Sequence, residues 1–205
     1  MKLKILNRAE LKHLYETQLK RAFPPAELKS LAAMEGLLDR NAYEPLGLFD
    51  GEELVGYALM WLEPGVALVL LDYLGIVEGK RGNGLGARLL DLLAQYYSGH
   101  RGVIAEVEAE NAADPEEGAL QTRRLEFYRR SGYRYAGYDC ALFGVHYRTL
   151  IRGAQDVSAT EALNAHQTIY KAQFPKRRYD RFIQIPLAPG EAPRPVENWT
   201  EEGEE

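Results

Sequence analysis

The chain has 205 residues, 46% of them hydrophobic, and a formal net charge of −5. That is enough to bury one ordinary core, and the acidic balance argues against a nucleic-acid binder. A single cysteine, Cys140, excludes an intrachain disulfide and a cysteine metal cage. The early residues lack a secretory h-region and no run of about 18 apolar residues offers a span, so a cytoplasmic protein without membrane contact is expected. In chain order, Asn7 with Glu10 three residues on gives a loose capping box. Leu11, Leu14, Tyr15, Leu19, Ala22 and Phe23 follow on one helical face. Pro24 and Pro25 stop that helix and suit the start of another, AELKSLAAMEGLLDR, with Leu28, Leu31, Ala32 and Leu38 inward.

Strands come next. EPLGLFD meets a turn signal at Asp50-Gly51, ELVGYALMWLE meets one at Pro64-Gly65, and VALVLLDYLGIV is apolar on both faces. An antiparallel meander of these three is expected. ARLLDLLAQYYSG then reads as a helix buried along Leu85, Leu89, Leu92, Leu93 and Tyr96, with Gly99 placed to end it. GVIAEVEAEN is a strand, so Ala67 to Asn111 forms a βαβ unit with a right-handed crossover. NAADPEEGA reads as a loop, LQTRRLEFYRR as a helix, and YRYAGYDCALFGVHYRTLIR as two strands joined near Gly144. SATEALNAHQTIYKAQF is a last helix capped by Ser158 or Thr160. From Pro186 the sequence is rich in Pro and Glu and is expected to fray or lie extended.

One stretch carries chemistry. KRGNGLGARLL, Lys80 to Leu90, places Gly82, Gly84 and Gly86 at alternate positions between a buried strand and a helix. Amides that hold a pyrophosphate must point inward together, and a Cβ on the loop would block the approach. A helix starting there adds its positive end and unpaired N–H groups. Arg81 adds a charge. The bland alternative is a tight connector. The P-loop pattern fails, because Leu85 and Gly86 stand where Lys and Ser/Thr are needed. The dinucleotide pattern G-x-G-x-x-[GA] fits Gly82, Gly84 and Ala87 literally, but Glu78 to Arg81 separate it from the strand end. Arg-x-x-Gly-x-Gly fits Arg81, Gly84 and Gly86.

This last pattern, after YLGIVEG and before EVEAEN and RRLEFYRRSGYR, resembles the GNAT superfamily of acyl-CoA-dependent N-acyltransferases. The resemblance spans about Leu46 to Arg152, and FYRRSGY (Phe127 to Tyr133) is its second motif. It implies a single α/β domain of α+β type. The sheet would be mixed and mostly antiparallel with one parallel βαβ unit, and helices would cover both faces. The expected division is a GNAT-like domain over 1–153, a C-terminal helical extension over 154–185 and a flexible tail over 186–205. The extension is a candidate homodimer contact.

The resemblance further implies that acetyl-CoA lies between the strands ending at Val77 and Asn111. Ile76 and Val77 would pair with its pantetheine arm. The amides of Arg81, Gly82, Asn83, Gly84, Leu85, Gly86 and Ala87 would hold the pyrophosphate. Asn111 would face the arm, and Tyr128 would stand by the sulfur. The interval from Asn111 to Tyr128 is longer than the family's usual one, and Asp114, Glu116 and Glu117 within it suggest an acidic loop that favours cationic acceptors.

Chemistry adds its own demands. An amine attacks a thioester only when neutral, and deprotonating one of pKa ~10.4 at neutral pH costs roughly 4–5 kcal/mol. A carboxylate can take that proton, a tyrosine can serve the leaving thiolate, and an N–H near Val77 can meet the developing oxyanion. Asp72 is a candidate base, since a mid-strand charge is expensive unless used or paired. Glu106 and Glu108 share a strand face, and Glu108 lies nearer the cofactor end. His13, His100, His146 and His166 show no ligand spacing, so no metal is expected. Cys140 reads as packing, and KRRYDR (Lys176 to Arg181) as a solvated surface. The expected activity is direct acetyl transfer from acetyl-CoA to a primary amine of a small molecule or peptide. The rivals are a non-catalytic CoA-binding sensor and an NAD(P)-dependent oxidoreductase.

Overall fold

A computed structural model describes residues 1–25 and 27–196. The strands form a mixed sheet with one parallel pair that does not close into a barrel. Within the described residues the chain groups into two compact units, one of residues 1–64 and 71–93, the other of residues 65–70 and 94–196. Among the described residues no helix is long and apolar enough to cross a membrane.

The first unit opens with β1 (Lys2–Ile5), a strand that sequence reading missed because it is short and alternates with lysine. It pairs antiparallel with β2 (Tyr43–Asp50), which pairs antiparallel with β3 (Glu53–Trp61). Gly51, at φ +60, makes the tight turn between them. β3 neighbours β4 (Leu68–Ile76). Val55, early in β3, accepts from Val77 just past the end of β4, as the expected meander requires.

Helix α1 (Arg8–Leu14) has the full capping box. The Asn7 side chain accepts from the Glu10 amide, and the Glu10 carboxylate accepts from the Asn7 amide. A π-helical turn (Tyr15–Leu19) and a short α2 (Lys20–Ala22) continue it. The wider π turn rotates the chain, so the buried stripe stops at Leu19. Ala22 is exposed and Phe23 half-buried, against expectation. Helix α3 (Leu31–Asp39) starts later than expected, at the Ser30 cap, and buries Met34 and Leu37. Leu31 and Leu38 are half-buried and Ala32 is exposed; Leu28 is buried but precedes the helix. Helix α4 (Leu85–Tyr96) buries Leu89, Leu90 and Leu93. The chain leaves the helix at Tyr96, which is exposed, while Tyr97 turns inward.

The second unit runs β5 (Gly102–Glu108), α5 (Pro115–Arg130), β6 (Arg134–Leu142), β7 (Val145–Gly153), α6 (Ala159–Gln173), α7 (Lys176–Phe182) and β8 (Ile183–Leu187). Its strand order is β5-β7-β6-β8, antiparallel throughout. Phe143 and Gly144, both at positive φ, form the two-residue turn of the β6–β7 hairpin. Ser158, not Thr160, caps α6. KRRYDR folds as the start of α7, with Lys176, Arg177, Asp180 and Arg181 exposed. Pro186, expected in a loose tail, stands in edge strand β8, a place where its missing N–H does little harm. Beyond it the Gln184 side chain donates to Glu191 and accepts from the Arg194 amide, so the described tail is tied down as far as Arg194. The part of the expected tail beyond residue 196 lies outside the described residues.

Candidate active site

In the first unit the loop after β4 adopts the shape its glycines permit. Gly79, Gly82 and Gly84 take φ values of +79, +90 and +71, where an L side chain is strained. A Cβ at any of the three would point into open space. Their purpose is therefore the backbone path, not relief of a crowded core. Gly86 has no such φ; it sits in the first turn of α4, whose first backbone bond runs from Arg88 N to Gly84 O at 3.1 Å. The amides before Arg88 have no intrahelical acceptor and stand at the positive end of the helix. Arg81, Asn83 and Ala87 are exposed, and Leu85 and Gly86 half-buried. Lys80 anchors the loop through Glu53 at 2.7 Å. These features fit a pyrophosphate held by main-chain amides.

Ile76 and Val77 are half-buried. The Val77 amide donates to Val55 O at 3.1 Å, and its carbonyl accepts from Lys80 N at 3.0 Å. The Val77 N–H is thus used in strand pairing. Gly75 has a role the sequence reading missed. A Cβ there would come within 2.1 Å of the Tyr57 ring. Burial pushes that phenol up to about 12, partly offset by Arg81.

Asp72 is paired. One carboxylate oxygen lies 2.6 Å from Lys29 Nζ, and the other accepts from the Tyr43 hydroxyl at 2.5 Å. Burial, then the charge of Asp72, pushes the Tyr43 phenol well up. The Lys29 ammonium also sits over the rings of Trp61 and Tyr73, 5.0 and 5.5 Å from their centroids. Asp72 is thus a buried charge paired with Lys29.

In the second unit, α5 begins at Pro115 instead of Leu120. Asp114 is its cap, accepting from the amides of Glu116 and Glu117, which fill the first turn. The expected acidic loop is thus a helix N-terminus, where negative charge is favoured for structural reasons. Gln121 is buried and accepts from the amides of Asn111 and Ala112 at 3.2 and 3.1 Å, fixing the turn that follows β5. Glu108 is held by Arg124 at 3.1 Å and by the Gln121 amide at 3.4 Å. Asn111 is exposed, and its side-chain nitrogen lies 3.4 Å from His146 Nδ1.

Tyr128 is buried near the end of α5. Gly132, at φ +84, ends the helix and lets Tyr133 N return to Tyr128 O at 3.1 Å. The two rings meet edge-on, with centroids 5.3 Å apart. This is the structural content of the FYRRSGY motif. Burial pushes the Tyr128 phenol up to about 12, with Arg124 working against it.

Two clusters were not visible in the sequence. Glu106, Cys140 and His166 bring their donor atoms within 4.8 Å of one another, although no histidine shows ligand spacing along the chain. The His166 Nε2 lies 2.6 Å from Glu106, its Nδ1 lies 3.1 Å from the Tyr138 hydroxyl, and Tyr170 donates to Glu106 at 3.0 Å. Both ring nitrogens have partners, and burial pushes the Cys140 thiol well up. The cluster reads as a satisfied polar network fastening α6 to β5 and β6. The second cluster joins His146, Asp139, Arg148 and Glu110 around Asn111. Burial works to raise the Glu110 carboxyl, but its backbone bond and Arg148 prevail and hold it low.

Residues 8–133 match the acetyltransferase (GNAT) family. The chain belongs to that family. A curated relative, the acetyltransferase YjbC of Bacillus subtilis (strain 168), is 29% identical over 119 residues, 58% of this chain and 56% of its own. The match thus spans a little over half of that protein. A solved GNAT-family acetyltransferase from Bacteroides thetaiotaomicron superposes with a TM-score of 0.66 at 18% identity, covering 86% of this chain and all of its own. Spermidine N-acetyltransferase from Vibrio cholerae, solved with CoA and spermine, gives 0.55 at 13% identity over 73% of this chain and 93% of its own. At such identities these structures speak for the fold alone. The GNAT fold overturns the dinucleotide reading of Gly82, Gly84 and Ala87. That reading needs a doubly wound parallel sheet, whereas β1, β2 and β3 form an antiparallel meander before the glycines.

Proposed function

We propose that this GNAT-family chain moves an acetyl group from acetyl-CoA directly to a primary amine. The observation that carries this reading is the glycine loop. Gly82 and Gly84 hold a left-handed path in open space at the start of a long helix, inside the family's matching segment. On this reading acetyl-CoA is the cosubstrate. The amides of residues 81–87 cradle its pyrophosphate, with Arg81 beside them, and Ile76 and Val77 border the pantetheine arm.

The amine nitrogen must be neutral when it attacks. The C–N bond forms as the C–S bond breaks, the electron pair leaves on sulfur, and the proton that the amine nitrogen sheds passes through water to that thiolate. A thiol has an ordinary pKa of ~8.5, well below the value of about 12 that burial gives Tyr128. Full proton transfer from Tyr128 to the thiolate is uphill; its protonated hydroxyl suits it to hydrogen-bond the leaving sulfur instead. Asp72 is tied to Lys29 and Glu108 to Arg124, so neither is a free base as it stands. The acceptor is an amine of a small molecule or peptide.

The pairing of both carboxylates favours one second reading, a chain that binds CoA without turnover. Release of CoA thiol from acetyl-CoA across a panel of polyamines, aminoglycosides and peptide N-termini separates the two. Release with at least one amine is expected. Tight acetyl-CoA binding with no release across the panel would favour the sensor.

A further inference from the structure

The second unit holds a cavity of about 310 Å³, the size of a small-molecule site, that the acetyl-transfer reading does not use. Helices α6 and α7, strand β8 and the segment after it line this cavity. Ile183 and Ile185 are buried beside it, and the Tyr179 ring adds a further apolar wall. Lys171 reaches it from α6, and Glu191 and Arg194 from the segment beyond β8. Among the described residues neither cation has a carboxylate partner, and Glu191 has no cationic one. Asp180 also lines the cavity but pairs with Lys176.

Neutral groups hold the three charges in place. Lys171 donates to the Gln167 side chain at 3.2 Å, and its ammonium lies 5.4 Å from the Tyr179 ring centroid. Glu191 accepts from the Gln184 side chain at 2.7 Å and from the Ala188 amide at 3.2 Å. The Arg194 guanidinium donates to the Asp180 carbonyl, and the Arg194 amide donates to the Gln184 side chain at 2.8 Å. One buried carboxamide, Gln184, thus fixes both the anion and a cation. Ammonium and guanidinium keep further N–H donors, and the carboxylate keeps lone pairs. The Tyr179 hydroxyl is buried and has no hydrogen-bond partner among the described residues. Such a group is costly unless something supplies the missing bond. Burial, then the charge of Asp180, pushes that phenol up to about 12, so it remains a donor at neutral pH.

We propose that this cavity binds a small zwitterion, an α-amino acid with an aliphatic side chain. Its carboxylate meets Lys171, Arg194 and the Tyr179 hydroxyl. Its ammonium meets Glu191, and its side chain lies against Ile183 and Ile185. A simple anion would face Glu191 without a counter-charge, and a simple cation would face Lys171 and Arg194. A ligand carrying both signs answers all three. The site lies outside the glycine loop, and the inference does not depend on acetyl transfer.

The test is a ligand-detected NMR titration of the full chain with L-leucine. Leucinamide, which keeps only the ammonium, and isocaproate, which keeps only the carboxylate, are run beside it. Leucine is expected to bind about 10–100-fold more tightly than either analogue. Lys171→Met and Glu191→Gln should each weaken leucine binding by a similar factor. Lys171→Met should leave leucinamide binding unweakened, and Glu191→Gln should do the same for isocaproate. Tyr179→Phe removes a hydroxyl that has no protein partner, so it should keep the wild-type melting temperature and still lose affinity for leucine. That variant keeps the proposal falsifiable should a charge variant not fold. No binding of leucine to the wild type would overturn the proposal. So would equal binding of the three probes, or leucine affinity that is unchanged in the variants.

Discussion

Asp72 shows how a residue can be singled out correctly and still change its meaning in the fold. A carboxylate in the middle of LVLLDYLGI had to be used or paired, and that much is plain from the sequence. Its partner Lys29 lies 43 residues away in an irregular segment, so nothing in a local pattern could announce the pair. With 5% of its side chain exposed, Asp72 cannot lose its charge without leaving Lys29 stranded over two aromatic rings. Removing one member of a buried pair costs about 3–5 kcal/mol. Asp72→Asn should therefore lower the melting temperature by roughly 6–12 °C at the lower end of that range. If the pair is structural, kcat at a temperature where the variant is folded should be nearly intact. An unchanged melting temperature with lost turnover would restore Asp72 as a catalytic candidate. Gly75 carries a related lesson. A glycine inside an apolar strand looked unremarkable, yet the Tyr57 ring occupies the place of its Cβ.

Elements were legible where periodicity or punctuation was strong. The Asn7 capping box, the Gly51 and Gly144 hairpin turns and the glycine loop before α4 all follow from residues adjacent in sequence. Misjudged boundaries had local causes too. The π turn at Tyr15–Leu19 leaves no composition mark, and it rotated the stripe behind it. The segment NAADPEEG looked like a loop because Pro and Gly punctuate it, whereas Asp114-Pro115 is a cap followed by an N1 proline. Those acids then serve the helix. Asp114→Ala should lower stability by ~1 kcal/mol, within the ~0.5–2 kcal/mol span of lost caps, and should not change which amines are acetylated. A clear shift toward neutral acceptors in this variant would instead revive the acidic-loop idea. The tie between Glu106 and His166 was out of reach of sequence reading, because it joins a strand to a helix 60 residues later.

For the whole molecule, the mixed sheet and family were readable from two ordered motifs, while β1 and β8 were not, being short strands of four and five residues. The buried tyrosines set a pH limit on the fold. Burial pushes Tyr57 and Tyr128 up to about 12, and Tyr43, Tyr133 and Tyr138 also lie well above the ordinary value. A phenol whose folded pKa exceeds its unfolded one stabilises fully below the unfolded value and loses that contribution as pH rises through the folded one. For Tyr128, only 8% exposed, a rise of that size corresponds to about 3 kcal/mol. The melting temperature should thus hold steady up to about pH 10 and fall steeply above it. A flat profile to about pH 12 would contradict that burial. The central claim is that the loop from Arg81 to Ala87 holds acetyl-CoA, and the most direct measurement is the melting temperature with acetyl-CoA, with NAD and NADPH as controls. At about 100 times its dissociation constant a specific ligand stabilises by about 2.7 kcal/mol, a rise of roughly 5–10 °C for a chain of this size. That rise is expected with acetyl-CoA alone. A rise with NAD or NADPH instead, or none with any of the three, would contradict the claim.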